Sequence, residues 1–326
     1  MKKLFRIYIS IILIFLFPYN SFSQEGDFVF DFLRLPYSVR TSALGGKNIS
    51  TIENDPSLAF QNPALLGPEM GKGLTVNYLS YIADVSAASA LYEKPVGERS
   101  AWGIGVYYLD YGNIKEAMKE NIILGDMGIK DICVNIIYSH DLTERIRGGV
   151  AGKIIYSSLG DYTSVGLGVD LGLSYYNPEN NLSWGLTAKN LGGQIKAFHE
   201  ERSLMPWDIQ FGVTKTLENA PIRFSITAVQ LNRWKSYDLN REKDSFSTNL
   251  FKHFVLGVDL IPSESFWVAL GYNVKTSMDM SLEEGNKMGG FSAGVGIRVR
   301  GFEVGAAVAK YHPSATSLMI GLTSFF

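Results

Sequence analysis

Val165-Gly166-Leu167-Gly168-Val169-Asp170-Leu171-Gly172-Leu173-Ser174-Tyr175-Tyr176 sorts completely at a period of two. Val165, Leu167, Val169, Leu171, Leu173 and Tyr175 fall on one face, and Gly166, Gly168, Asp170, Gly172 and Ser174 on the other. A helix would scatter the apolar side chains around its circumference, whereas a strand separates them. The stretch therefore reads as a strand with one greasy face and one small, polar face. The same sorting recurs in Trp102/Ile104/Val106/Tyr108, Trp207/Ile209/Phe211/Val213, Phe266/Val268/Leu270/Tyr272, Phe291/Ala293/Val295/Ile297 and Phe302/Val304/Ala306/Val308. Aromatics tend to open or close the apolar row. Trp102 and Tyr108 are six residues apart, about 20 Å along a strand, a spacing suited to aromatic girdles at two membrane interfaces.

Extending this reading from residue 73 predicts strands at 73–81, 86–92, 100–110, 129–140, 145–157, 164–176, 182–191, 207–217, 222–233, 252–261, 266–275, 289–299, 302–310 and 317–326. That makes fourteen, an even number, as a closed antiparallel bacterial barrel requires. Tight turns are expected at 141–144, 177–181, 218–221, 262–265 and 300–301. Longer connections are expected at 111–128, 192–206, 234–251 and 276–288, with shorter ones at 158–163 and 311–316. From the third strand onward short and long alternate, the pattern of periplasmic turns and extracellular loops. The last strand sets Leu318, Ile320, Leu322 and Phe326 against Met319, Gly321 and Thr323 and stops on an aromatic. Such an end looks like the closing strand of an outer-membrane barrel, with Phe326 facing the periplasm as the signal for the barrel-assembly machinery. The fold expected is thus all-β, a fourteen-stranded antiparallel transmembrane barrel in the lipid bilayer of a Gram-negative outer membrane.

Composition agrees. Gly is 33 of 326 residues, aromatics are 13% and charged residues only 19%, a balance suited to sheet with two lined faces. The net charge of -2 gives no case for nucleic acid. The single cysteine, Cys133, excludes an intramolecular disulfide and a cysteine-based zinc site. Residues 1–23 read as a secretion signal: Lys2, Lys3 and Arg6, then apolar Ile7 to Phe17, then Ser21-Phe22-Ser23. No later apolar run reaches the roughly 20 residues of a spanning helix. In hydrocarbon only helices and closed barrels pair all their backbone groups, so a membrane-embedded chain of this kind has to be a barrel.

Residues 24–72 have no place among the strands. Glycines in the small rows, including Gly166, Gly168, Gly172, Gly271, Gly294, Gly296 and Gly305, mark places where another backbone approaches. The 24–72 segment is the candidate for that role, as a packed plug or a gating hatch, with the barrel proper at 73–326. Asp55 before Pro56 and Asn62 before Pro63 each set a capping side chain before a proline at the first helical position. They predict short helical turns at Pro56–Phe60 and Pro63–Leu66, after a bend at Gly45-Gly46.

These residues also carry a resemblance. Ser42-Ala43-Leu44-Gly45-Gly46, Asn54-Asp55-Pro56-Ser57-Leu58-Ala59 and Asn62-Pro63-Ala64-Leu65-Leu66 resemble the PorV/PorQ family of outer-membrane proteins of the type IX secretion system. That family is related in architecture to FadL-type fourteen-stranded transporters, with which the Asn-Pro-Ala element is shared. The length and Phe32-Leu33-Arg34-Leu35-Pro36 look more like the PorQ type. The resemblance implies a non-enzymatic barrel in a cell-surface attachment complex, holding a PorZ-like surface partner beside PorU and PorV. It assigns no partner-binding residue. Among the expected extracellular loops, 234–251 carries Trp234, Lys235, Tyr237, Arg241, Lys243 and Phe246, an aromatic and charged mixture suited either to a protein interface or to a solvated loop.

Catalytic signals are thin. His140, His199, His253 and His312 fall on different strands or loops without metal-ligand spacing, and no local nucleophile motif accompanies them. No catalytic residue, metal or cofactor is expected. The alternative to an anchor is a FadL-like channel for hydrophobic molecules. Against it stand short loops and small rows dominated by Gly, Ser, Asp and Asn, with few inward apolar side chains.

Overall fold

In the computed structural model, which describes residues 28–117, 123–198, 202–233, 246–280, 289–312 and 315–326, the chain closes into one antiparallel barrel. The expected signal at 1–23 lies outside the described residues. The fourteen strands are β1 Gly73–Ser80, β2 Ser86–Val96, β3 Ser100–Ala117, β4 Ile123–Asp141, β5 Ile146–Leu159, β6 Tyr162–Asn177 and β7 Leu182–Lys196, then β8 Asp208–Thr216, β9 Ile222–Ala228, β10 Phe254–Ser263, β11 Phe266–Asn273, β12 Phe291–Val299, β13 Phe302–His312 and β14 Ala315–Phe325. Each pairs with its sequence neighbours. Closure is made by β1 against β14, in register from Gly73↔Phe325 to Ser80↔Leu318. Phe326 N–H then donates to Lys72 O at 3.0 Å, tying the last residue to the residue before β1.

The apolar rows face outward. Leu167, Leu171, Ile104, Leu270, Val304, Leu318 and Ile320 are all exposed, while Gly166, Gly168, Gly172 and Met319 are buried. Burial alternates strictly along β1, as it does when one strand face meets lipid and the other a filled interior. Rings cluster at the periplasmic edge of this band. Tyr92 packs on Trp102 at 6.0 Å and on Phe326 at 6.5 Å, and Tyr175 stacks on Trp184 at 5.3 Å. Among the described residues no helix is long and apolar enough to cross a membrane.

The wall is uneven, and here the expected segmentation needs correction. Strands β3 to β7 run 14 to 19 residues, whereas the others have 7 to 11. A membrane crossing needs about 9–11, so β3 and β4 overshoot on the extracellular side. The segment expected as a loop at 111–128 is mostly strand, paired from Asn113↔Gly128 to Ala117↔Ile123 beyond a bulge after Asp110. Pairing satisfies its backbone groups where an open loop would leave them to water. Likewise β5 and β6 continue to a tight connection at Gly160-Asp161 in place of the loop at 158–163. On the low side two short helices take over parts of the other loops, α2 Phe246–Lys252 and α3 Val274–Met280. Strand β9 ends at Ala228, not 233, as Gln230 takes a left-handed φ of 56° and turns the chain.

Candidate functional site: the filled lumen

The N-terminal segment occupies the inside of the barrel. Its described part begins at the extracellular mouth, where Phe28 bridges to Leu204 and its ring lies between the guanidinium groups of Arg34 and Arg233 at 4.8 and 4.0 Å. It leaves at the periplasmic end, where Glu69 meets Arg147 of β5. Between these lie the helix α1 Val39–Ala43 and 3-10 turns at Asp31–Arg34, Pro56–Phe60, Pro63–Leu65 and Pro68–Met70. The turns sit where the Asp-Pro and Asn-Pro pairs dictate. Asp55 accepts from Ser57 N–H at 2.9 Å and Asn62 from Ala64 N–H at 3.0 Å.

Small wall residues make room for this plug. On nine strands (β3, β5, β6, β7, β8, β10, β11, β12 and β14) a Cβ added to an inward glycine would come within 3.0 Å of a plug atom. Gly172 lies against Asn62, Gly149 against Pro63 and Ala64, and Gly271 against Gly45. Gly45 and Gly46 have φ of 84° and 86°, a region that favours glycine, and they make the bend that brings the chain onto β11. The Asn62 amide continues the seat, donating to Ile49 O at 2.9 Å and to Leu173 O at 3.2 Å.

One flank of the plug is apolar. Phe32, Tyr37, Phe60 and Leu66 pack with Leu79, Leu91, Tyr107, Leu109, Cys133, Ile137 and Ile155 of β1 to β5 in one buried cluster. Tyr37 stacks on Tyr107 at 3.8 Å, and Phe60 meets the same ring edge-on at 4.9 Å. This corrects the expectation of few inward apolar side chains. On β4 Ile136 and Tyr138 point out, while inward Cys133 and Ile137 alternate with polar Asp131, Asn135 and Ser139. Apolar residues interspersed with polar ones do not stand out as an inward row.

The opposite flank is held by charge. Arg40 and Arg223 both reach Glu53 Oε1, the second at 2.7 Å. Arg223 also bonds Asp259 at 2.9 Å, and Arg40 lies 3.4 Å from the other Asp259 oxygen, at ion-pair distance without a hydrogen bond. The rest of the Arg40 guanidinium stacks on Trp267 at 4.0 Å, whose Nε1–H donates to Glu303 at 3.0 Å. Arg298 joins Glu303 at 2.6 Å and donates to Asn54 O at 3.0 Å. Burial alone would raise the Glu53 pKa, but Arg223 and Arg40 outweigh it and hold the carboxyl below its ordinary value. These residues escaped the sequence reading. The available signal was ionisable residues in otherwise small inward rows: Arg223 and Asp259, and likewise Lys153, Asp170 and Lys189.

Asp55 behaves in the opposite way. Burial raises its pKa to about 6, the Glu303 and Glu53 carboxylates add to this, and the Ser57 hydrogen bonds work against it. Its folded value lies above the ordinary 3.8, so folding favours the protonated form. The contribution to stability is full below 3.8 and is lost as the pH rises to about 6. Asp55→Asn keeps an acceptor for Ser57 without the charge. The variant should match or exceed wild-type heat resistance at neutral pH and lose this part of the acid dependence. Unfolding temperature followed by gel mobility across that pH range checks it.

Other residues named from the sequence are not brought together. Trp234, Tyr237 and Arg241 lie outside the described residues, and Phe246 begins α2, 76% exposed. His140 shares a hydrogen bond with Ser100 at 2.7 Å and His253 one with Val229 O at 2.8 Å; His199 is outside the described residues. Among the described residues no group of three or more His, Cys, Asp or Glu side chains is disposed to hold a metal.

No protein-family model matches the sequence, and no curated protein does. Solved structures match its shape. The toluene transporter TbuX of Ralstonia pickettii aligns with TM-score 0.59 at 12% identity, over 91% of this chain and 100% of that one. The toluene transporter TodX of Pseudomonas putida gives 0.58 at 12%, over 90% and 98%. A FadL homologue of Pseudomonas aeruginosa gives 0.52 at 12%, over 88% and 97%. The fold is therefore the barrel fold that these proteins share.

Proposed function

We propose that this chain is a non-enzymatic component of the type IX secretion system of a Gram-negative bacterium, anchoring a PorZ-like surface partner of the attachment complex. The observation that carries this reading is the filled lumen, with the plug seated on glycines of nine strands and tied to β9 and β10 by buried ion pairs. A barrel occupied by its own chain leaves its extracellular rim as the working surface. The residues of the PorV/PorQ-like motif are among those that seat the plug: Gly45 on β11, Asn62 on β6, and Pro63 and Ala64 on β5.

A second reading is a channel for hydrophobic molecules. The structural neighbours favour it more directly than they favour secretion, since two are toluene transporters by name and match over nearly the whole chain. The inward apolar flank of β1 to β5 supports it as well. Deletion of the gene separates the two. On the anchoring reading, mutant cells release unprocessed cargo into the medium while growth on hydrophobic substrates is unchanged. Loss of that growth with cargo still attached overturns it in favour of the channel.

A further inference from the structure

A depression of about 1020 Å³ opens at the periplasmic edge of the barrel, where β4, β5 and β6 end. Arg99 reaches it from the connection 97–99, and Glu144 and Arg145 from the connection 142–145. Ile146 and Tyr175, paired across β5 and β6, line it on the side of the membrane. The two connections are tied together: Asp141 N–H donates to Arg99 O at 2.8 Å, and Arg99 Nη2 donates back to Asp141 O at 2.5 Å. Thr143 Oγ1 accepts from Ile146 N–H at 3.0 Å, and Arg145 O accepts from Tyr176 N–H at 2.9 Å. The lining is thus braced by backbone bonds on both connections.

Its charges are only partly matched. Arg145 bonds Glu179 at 2.9 Å, and Asp141 is taken by Arg147 at 2.6 Å. Arg99 and Glu144, both exposed, share the depression without pairing with each other, and among the described residues neither has an ion-pair partner. Toward the membrane, Tyr175 stacks on Trp184 at 5.3 Å, and its outward row continues to Leu173 and Leu171, both in the lipid-facing band. Lipid headgroups lie at the level of such interfacial rings. The planar guanidinium fork suits a phosphate. A headgroup that is only anionic would leave Glu144 opposed, whereas one with a phosphate and a primary ammonium meets both open charges. We propose that this depression seats the zwitterionic headgroup of a periplasmic-leaflet phospholipid, its phosphate on Arg99 and its ammonium on Glu144. The acyl chains then rise past Ile146 and Tyr175 along the outward row. This lipid contact is independent of whether the barrel anchors a partner or conducts a solute.

The test is native mass spectrometry of the purified barrel titrated with phosphatidylethanolamine or with phosphatidylglycerol, which keeps the phosphate and lacks the ammonium. Folding of every variant is verified by heat-dependent gel mobility. The wild type should bind phosphatidylethanolamine about fivefold more tightly than phosphatidylglycerol, the scale of one exposed charge contact. Arg99→Ala should weaken binding of both lipids by about the same factor. Glu144→Gln should bring phosphatidylethanolamine down to the level of phosphatidylglycerol. Arg300→Ala, at an exposed arginine of the β12–β13 turn outside the depression, should change neither. Equal binding of the two lipids by the wild type overturns the proposal, as does an Arg99→Ala effect no larger than that of Arg300→Ala. A preference that survives Glu144→Gln overturns the place given to the ammonium.

Discussion

Deleting Phe326 should remove most of the folded barrel from the outer membrane, with the unfolded form accumulating or being degraded. The direct contacts of the residue are modest. It contributes one backbone hydrogen bond to Lys72 and a stacking contact with Tyr92, worth together about 1–3 kcal/mol. A loss of that size lowers heat resistance without abolishing insertion. The larger effect expected here comes from what the truncation leaves behind. Phe325 is left as the last ring of β14, and it belongs to the inward row, where Arg298 lies over its ring at 4.7 Å. The strand would then lack an outward aromatic at the periplasmic girdle. Phe326→Ala removes the ring and keeps the register, and Phe326→Tyr should restore insertion. Folded barrel in membrane fractions, resolved by gel mobility before and after heating, gives the comparison. Near-normal recovery of the deletion variant would refute the assembly role and leave only the contact energy.

The outward rows were legible because lipid imposes the same demand on every strand, and Val165 to Tyr175 meets it without exception. The two 3-10 turns were legible because Asp55-Pro56 and Asn62-Pro63 contain their own caps, so no distant residue is needed to form them. The glycine rows announced an occupant of the lumen but not its path. What stayed hidden depends on pairs far apart in the chain. Glu53 meets Arg223 across 170 positions and Asn62 meets Leu173 across 111. No local pattern marks one partner as the answer to the other. The inward apolar flank was masked differently, as on β4, where inward Cys133 and Ile137 are interspersed with Asp131, Asn135 and Ser139. The extracellular ends differ from the expected loops because β3 and β4 stay paired beyond a bulge, at which Gly112 takes a φ of 71°.

Glu53→Ala should unseat the plug. Two guanidinium groups, Arg40 and Arg223, face two carboxylates, Glu53 and Asp259, and the side chains of Arg40, Arg223 and Asp259 are 2%, 6% and 0% exposed. Removing Glu53 leaves two buried cations on one carboxylate. Breaking a buried pair from one side costs about 3–5 kcal/mol, mostly as the penalty of the charge left behind. That penalty falls on the contact between plug and wall, since Arg40 belongs to α1 and Arg223 to β9. The barrel ladder does not depend on it. The variant should therefore still insert and migrate as a folded barrel, while trypsin gains access to Arg34, Arg40 and Lys47 and ion conductance in planar bilayers rises. Removing Arg40 as well should recover part of the loss, because the stranded cation goes with it. The pH dependence has a definite sign. The folded pKa of Glu53 is depressed, so the latch is fully formed above the ordinary carboxylate range and weakens as the pH falls through the lower folded value. Acid should thus loosen the wild-type plug in the direction of the variant, opposite in sign to the Asp55 contribution. A Glu53→Ala barrel as protease-resistant and as poorly conducting as wild type would mean that glycine packing alone holds the plug, and the ion pairs would lose their role as its latch.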